Sequence, residues 1–152
     1  MTSAESNSVA QLLAGANLAE VVTFELAAQR ADGSDFGDSN ESTVEFQSSY
    51  QLKVGVSEDN TKIQIRLSLK LTSDRGSILC EVGARFDLAQ ATPLEPDNEQ
   101  LFAFANETGI NTLYPFIRQY VSDLALRVLG LPVLLPVPGP SVLKFSNSQE
   151  VG

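Results

Sequence analysis

The 152-residue sequence contains no histidine and a single cysteine, Cys80. Histidine is the commonest general base and metal ligand near neutral pH, so its absence removes most catalytic and zinc-binding arrangements. One cysteine cannot form an internal disulfide. Without a histidine to activate it, Cys80 is expected to be a buried structural thiol rather than a nucleophile. These absences argue against an enzyme and against a metal site of the usual kinds.

Long apolar runs and a secretory signal are also missing. No stretch approaches the roughly 20 consecutive apolar residues that a bilayer span needs. The N-terminal sequence, MTSAESNSVAQ, lacks the basic segment that opens a signal peptide, so we expect a cytoplasmic protein. No glycine-rich loop precedes a helix in the pattern that cradles phosphate, and no cofactor is predicted.

Basic residues are scarce, particularly in the first part of the chain. The net charge is -9, and residues 1–60 hold ten acids but only two bases. An acidic chain repels phosphate backbones, so nucleic acid is not an expected partner. Acids crowd between Asp32 and Glu41, but Phe36 occupies a position where a calcium loop would need a ligand. A solvated acidic loop is the preferred interpretation.

The sequence does contain sustained alternation of apolar and polar residues, which is typical of strands with one buried face. Four strands are predicted, whose inward residues are Val22, Phe24, Leu26 and Ala28; then Val44, Phe46, Ser48, Tyr50, Leu52, Val54 and Val56; then Ile63, Ile65, Leu67, Leu69 and Leu71; and finally Ile78, Cys80, Val82, Ala84, Phe86 and Leu88. Short, turn-rich links predict that the last three strands form a meander of hairpins. The long link between the first two strands predicts a crossing or a functional loop.

Helical spacing replaces the alternation after the fourth strand. A short helix is predicted over residues 98–106, with Gly109 ending it, and a long helix from about Thr112 to Leu129. Proline is tolerated only in the first turn of a helix, so Pro115 is expected to fix the start of the long one. Gly130 is expected to mark its end.

The two ends of the chain carry weaker signals. A short helix is predicted near residues 8–18, and the proline-rich segment 131–140 is predicted to be extended and apolar. We expect one domain over residues 1–152, with residues 1–8 and 147–152 disordered.

The predicted sheet is larger than the long helix can cover. Four strands of about 12 residues present an apolar face on the order of 760 Å². A helix of about 18 residues covers on the order of 270 Å². Globular proteins seldom leave so much apolar surface open, so another subunit, a client, or both are expected to cover the rest. The alternative is that the tail and the crossing loop cover it.

The segment from Gly109 to Pro138, GINTLYPFIRQYVSDLALRVLGLPVLLPVP, resembles the C-terminal half of the SecB export-chaperone family. The family motif has a hydrophobic residue, an aromatic, proline, an aromatic, any residue and then arginine. A long helix, a glycine, a proline turn and a hydrophobic segment follow. The matching residues are Leu113, Tyr114, Pro115, Phe116, Arg118, Gly130, Pro132 and Pro136. Val82 to Leu88, followed by EPDNEQLFAFANETG, resembles the divergent SecB-like branch in particular.

The resemblance implies an α+β fold, with a four-stranded antiparallel sheet and one long C-terminal helix. It implies assembly as a dimer of dimers, with the long helices between subunits. The interface residues implied are Arg118, Tyr120, Val121, Leu124 and Val128. It also implies an ATP-independent holdase that keeps unfolded precursor chains from collapsing.

Clients would bind in apolar surface grooves formed by the crossing loop, the second strand, the start of the long helix and the tail. By position, the residues implied are Phe36, Val44, Phe46, Tyr50, Leu113, Phe116, Val133, Leu135, Val137, Leu143 and Phe145. Core packing is the alternative for each residue, and it is preferred for Phe46 and Leu113. The client role is preferred for Phe36, Leu143 and Phe145.

Three hypotheses about function remain open. The first is a general holdase for unfolded or precursor proteins. The second is a dedicated chaperone of one partner, since some SecB-like proteins protect the antitoxin of a toxin–antitoxin pair. The third is a self-assembling structural subunit without a client. Contact with the motor SecA through the C-terminus is in doubt, because only a short segment follows Phe145.

Overall fold

The computed structural model describes residues 3–31, 45–91, 93–95 and 98–135 of the chain. The elements, in chain order, are helix α1 (Ser3–Ala14) and strands β1 (Asn17–Arg30), β2 (Gln47–Val56), β3 (Lys62–Ser73) and β4 (Gly76–Asp87). A helical run follows, made of α2 (Glu99–Phe104), a π-helical turn (Ala105–Gly109), α3 (Ile110–Leu124) and a second π-helical turn (Ala125–Leu129). The architecture is α+β, as predicted.

The strands form one antiparallel sheet in the order β1-β4-β3-β2. Short turns join β2 to β3 and β3 to β4, which confirms the predicted meander. Strand β1 pairs with β4 on the far side, so the link from β1 to β2 must pass from one edge of the sheet to the other. The predicted crossing is therefore confirmed, although its residues 32–44 lie outside the described part of the chain.

The core lies between one face of the sheet and the helical run. Strands β3 and β4 fill its centre, because each is flanked by strands on both sides and alternates strictly. From the helical run, six side chains with no exposed area pack into it, namely Leu101, Ala105, Leu113, Ile117, Val121 and Ala125. Cys80 is also fully buried, which confirms the expected structural thiol.

Strand β1 departs from the predicted alternation because its pairing with β4 shifts twice. The shifts fall between Leu18 and Glu20 and between Thr23 and Glu25. A bulge of this kind inserts one extra residue and exchanges the two faces of the strand beyond it. The period of two is therefore interrupted at two places that the sequence pattern does not mark.

The prediction that Val22 and Phe24 share the inward face was therefore wrong. Val22 pairs with Gly83 on the outer face, and the Phe24 ring lies there as well, with the Arg66 guanidinium carbon 3.5 Å from its centroid. On the helix side, Thr23 takes the place predicted for Phe24. Gly83 permits this arrangement, because a Cβ there would stand 2.4 Å from the Phe24 ring.

The prediction that Gly109 ends a short helix was also wrong. Gly109 has helical dihedral angles, φ -62° and ψ -51°, and the helical run continues through it. Its missing side chain serves packing instead, since a Cβ there would lie 2.9 Å from two carbons of Ile65 on β3. In the sequence, a glycine that lets a helix approach a strand closely looks the same as a glycine that ends a helix.

Pro115 consequently lies inside a helix and not in its first turn, which corrects the predicted start of the long helix. Proline removes the hydrogen bond to the carbonyl one turn earlier, which belongs to Asn111. Both residues are exposed, so water can solvate the freed carbonyl. The solvent-facing position explains why the helix tolerates the proline.

The remaining helix boundaries agree only in part with the sequence. Helix α1 begins at Ser3, earlier than predicted, and ends at Ala14, because β1 begins at Asn17. The predicted end of the long helix at Leu129 is confirmed, and Gly130 adopts the left-handed conformation there with φ 69°. Residues 147–152 lie outside the described part of the chain.

We expect Gly109→Ala to lower the free energy of unfolding by about 1–3 kcal/mol, because overpacking a buried contact costs that much. The added methyl would meet Ile65, which is fully buried and cannot move aside cheaply. Gly55→Ala is the matched control, since a Cβ there meets nothing within 4 Å. Urea denaturation measures both, and equal stability of the two variants would contradict the proposed reason for a glycine at position 109.

Candidate client-binding surface

The helical run covers the sheet unevenly. Helix α3 packs mainly over β4 and β3 and touches β1 at few points. On the helix side of β1, Leu18 is 49% and Leu26 is 42% exposed, and on the tail Leu134 is 71% exposed. Within the described residues, the predicted surplus of apolar surface is therefore present, and part of it lies at the β1 margin of the sheet.

On the side of α3 that faces away from the β1 margin, a pair of tyrosines joins β2 to the helix. Tyr50 on β2 is hydrogen-bonded to Tyr114, which is only 1% exposed. Burial raises the pKa of Tyr50, and the contact with Tyr114 raises it further. Burial likewise raises the pKa of Tyr114, whereas the Tyr50 bond and the Arg118 charge act to lower it.

Arg118 lies one helical turn beyond Tyr114 and holds the tail. Its Nε donates a hydrogen bond of 2.7 Å to the backbone carbonyl of Leu135. From Leu129 back to Arg118 is about 16 Å along the helix axis. Five extended residues span about the same distance, so the tail after Gly130 runs back along α3 in an extended form. The predicted extended segment is confirmed over the described residues 131–135.

Strand β2, helix α3 and the tail therefore meet on one side of the sheet. We call the apolar side chains around this junction the β2–tail surface, which consists of Phe46, Tyr50, Val133 and Leu134. The first three are partly buried and pack against the core, and Leu134 projects into solvent. Because the tyrosine pair and Arg118 hold the three elements together, the surface is formed before any ligand arrives.

The predicted client-binding residues separate into three groups. Leu113 and Leu135 are buried, at 0% and 9% exposure, and Phe46, Tyr50 and Val133 belong to the β2–tail surface. The described chain does not include Phe36, Val44, Val137, Leu143 and Phe145. The predicted role of all these residues stays a prediction.

Phe116 is placed apart from the other predicted client-binding residues. It is 38% exposed, but it stands about 160° around the helix from Arg118, because successive residues turn by about 100°. It therefore shares the other side of α3 with Tyr120, whose hydroxyl is 2.8 Å from the Thr23 hydroxyl on β1. The helix separates Phe116 from the β2–tail surface.

The predicted interface residues also differ in their surroundings. Val121 is fully buried inside the chain, and Arg118 is engaged with the tail. Tyr120, Leu124 and Val128 are partly exposed, and they remain candidates for contact with another subunit. Sequence reasoning did not single out Leu18 and Leu26 as surface residues, because an apolar residue of an alternating strand normally faces the core.

The residues that the structure describes contain no group of three or more cysteines and carboxylates that could hold a metal ion, and none of their helices is long and apolar enough to cross a membrane. Burial raises the pKa of the Cys80 thiol to about 11. At neutral pH that thiol is protonated, so it is not an activated nucleophile.

We expect Arg118→Ala to release the tail without unfolding the core. Loss of one hydrogen bond with a charged donor costs about 1.5–3 kcal/mol. Hydrogen exchange of the amides at Leu131, Val133, Leu134 and Leu135 should therefore become faster, while exchange in β3 stays slow. Gln119→Ala, at an exposed neighbouring position, is the control. Unchanged exchange in the Arg118 variant would show that other contacts hold the tail.

Comparison with known proteins finds similarity to SecB-like chaperones. The chain is 27% identical over 143 residues to the SecB-like chaperone SmegB of Mycolicibacterium smegmatis, covering 93% of this chain and 88% of that protein. It is 39% identical over 67 residues to the SecB-like chaperone Rv1957 of Mycobacterium tuberculosis, covering 43% of this chain and 37% of that protein. No family model matches the sequence.

A solved structure supports the fold. It contains the Mycobacterium tuberculosis Rv1957 SecB-like chaperone in complex with a ChAD peptide from the Rv1956 HigA1 antitoxin. Its chain superimposes with a TM-score of 0.69 at 24% identity, covering 87% of the present chain and 97% of that chain. The chain is thus similar in sequence to a SecB-like chaperone over nearly its whole length, and it shares the fold of the Rv1957 chaperone.

Proposed function

We propose that this protein is an ATP-independent holdase of the cytoplasm, which binds unfolded or precursor polypeptides through the β2–tail surface. The observation that carries the proposal is the preformed apolar junction of β2, α3 and the tail, from which Leu134 projects with 71% of its surface exposed. The similarity to SecB-like chaperones supports the same function. Catalysis has no part in the proposal.

The binding energy would come from apolar burial along an extended client. Each apolar side chain that becomes fully buried contributes about 1.5–3 kcal/mol. Because an unfolded segment must be ordered when it binds, several such contacts are needed before binding is favourable. The hydrogen bond of Arg118 to the tail and the tyrosine pair reduce the cost on the chaperone side, since they already order the surface.

A dedicated chaperone of one partner is the second candidate. It is favoured by the antitoxin peptide that occupies the structure of the Rv1957 chaperone. Co-purification separates the two candidates, because one tightly bound protein supports a dedicated role and a broad set of precursors supports general holding. Delivery of precursors for export, with or without SecA, is part of the general candidate only.

We also propose that the helix side of β1 is covered by a second subunit, in a dimer of dimers. Leu18 and Leu26 are about half exposed there, and Tyr120 stands beside them through its contact with Thr23. A partly exposed apolar strand face of this kind is normally covered in the assembled protein. This arrangement uses the β1 margin for assembly and leaves the β2 margin for clients.

The first test is suppression of aggregation of a chemically unfolded protein, followed by light scattering. The intact protein should suppress aggregation at stoichiometric concentration. Leu134→Ser should weaken client binding about fivefold, since it removes about 1 kcal/mol of apolar contact. Leu126→Ser is the matched control, because Leu126 is also an exposed leucine, at 63%, but follows α3 at its far end.

Two outcomes would contradict the holdase proposal. One is that the intact protein does not suppress aggregation. The other is that Leu134→Ser and Leu126→Ser lose the same amount of suppression. Sedimentation of both variants checks that the oligomer is unchanged, so that a loss of suppression reports on the client surface alone.

The second test addresses assembly. Analytical ultracentrifugation should give four times the mass of one chain, and Leu26→Asp should lower that mass by placing a charge in the apolar interface. Ala27→Asp is the control, since Ala27 pairs with Leu79 and lies on the outer face of the same strand. A monomeric intact protein, or equal dissociation of both variants, would refute the proposed role of β1.

A further inference from the structure

The outer face of the sheet lies opposite the helical run and collects much of the positive charge of this acidic chain. Within the described residues, the helices that contact the sheet pack on its other face, so they leave the outer face uncovered. The net charge of the chain is -9. Even so, the alternation of the strands places five of the ten basic residues on the outer face, namely Lys53, Lys62, Arg66, Lys70 and Arg85.

Acids compensate these bases on only one half of the outer face. On the half formed by β1 and β4, Arg85 contacts Glu20 at 3.0 Å and Asp87 at 3.4 Å. On the half formed by β2 and β3, neither strand contains an acid. At one end of that half, Lys62 interacts with the charge of Asp59 in the turn between the two strands. The remaining bases form what we call the outer basic patch, which consists of Lys53, Arg66 and Lys70.

The charges of the outer basic patch are poorly compensated. Lys53 lies directly opposite Arg66, and like charges so placed destabilise a sheet. Glu81 lies 3.6 Å from Arg66, and the Phe24 ring holds the Arg66 guanidinium against the sheet. No ion pair within the described part of the chain involves Lys53 or Lys70. A negative charge bound over the patch would therefore relieve the repulsion.

A cavity of about 350 Å³ adjoins the patch at Lys70. Ser77 and Gln29 contribute a hydroxyl and an amide to its lining, and Ala27 and Leu79 contribute apolar side chains. A carboxylate that enters this cavity would be partly shielded from water. Because charges attract more strongly where the dielectric constant is lower, Lys70 can bind an acid there more tightly than a fully exposed base would.

We infer that the outer basic patch binds an acidic polypeptide segment, with one carboxylate beside Lys70 and another between Lys53 and Arg66. On β3, Arg66 and Lys70 are four residues apart, which is about 13 Å in a strand. Two carboxylates four residues apart in an extended segment match this distance. The chain as a whole is acidic and repels a phosphate backbone, so a polypeptide with a few acids is favoured over nucleic acid.

The outer basic patch and the β2–tail surface lie on opposite faces of the sheet. Clients are proposed to bind the β2–tail surface through apolar contacts, whereas charge would hold the acidic partner. The inference therefore goes beyond the proposed function, and one protein molecule could carry both ligands at once.

The test uses a labelled nine-residue peptide with glutamate at positions one, five and nine and serine elsewhere. A second peptide has glutamine at the same three positions and serves as the control. Fluorescence anisotropy should show that the intact protein binds the glutamate peptide about tenfold more tightly at low salt. An ionic strength of about 0.3 M should remove most of this difference, because salt screens charges near the surface.

Protein variants locate the binding site in the same assay. Lys70→Glu should weaken binding of the glutamate peptide about fivefold, since it replaces an attraction with a repulsion. Lys53→Glu should weaken binding by a similar factor. It also places an acid opposite Arg66, which stabilises the sheet, so unfolding would not explain the loss. Arg127→Glu is the control, because it changes the net charge equally on the helical run and should leave the affinity within twofold.

The outcomes separate this inference from the proposed function. Failure to bind the glutamate peptide, equal binding of the two peptides, or an equal loss in Lys70→Glu and Arg127→Glu would overturn the inference. Tighter binding of a single-stranded DNA of equal charge would overturn an acidic polypeptide as the partner. Lys70→Glu should suppress aggregation as well as the intact protein does. A protein that binds the glutamate peptide but suppresses no aggregation would contradict the holdase proposal alone.

Discussion

The packing of helix α3 against β3 and β4 is the contact on which the rest of the structure depends. Gly109 lets the helical run approach Ile65, and Leu113, Ile117 and Val121 then fill the space above the two central strands. A helix is about 10 Å wide, whereas four strands extend over about 19 Å. A helix placed over the centre must therefore leave both margins of the sheet incompletely covered.

The two margins of the sheet differ in structure, and this difference underlies the proposal that one serves assembly and the other client binding. At the β1 margin, bulges and charged residues make the edge irregular, while Leu18 and Leu26 leave part of an apolar face exposed. At the β2 margin, the edge is regular and the tail adds apolar residues beside it. The hydrogen bond from Arg118 to Leu135 keeps the tail at that margin. One long helix thus creates two surfaces with different geometry.

Sequence patterns predicted the central elements better than the margins. The alternation of β3 and β4 was correct throughout, because both strands have one fully buried face and a regular partner on each side. The same reasoning failed for Phe24, since a bulge leaves no compositional signal and moves the ring to the outer face. It failed for Gly109 because the glycine serves close packing against Ile65 and does not end a helix. It failed for Pro115 because the carbonyl that the proline leaves unbonded faces solvent, so the proline is tolerated inside the helix.

The sequence by itself determined the α+β architecture, the meander of β2, β3 and β4, the end of the long helix at Gly130 and the resemblance to the SecB family. These features follow from local periodicity, from turn residues and from a short phrase around Pro115. Only the tertiary structure decided that Arg118 binds the tail, that Tyr50 meets Tyr114, and that Phe116 faces away from both. Such contacts join residues far apart in the chain, and their geometry depends on how the helix lies across the sheet.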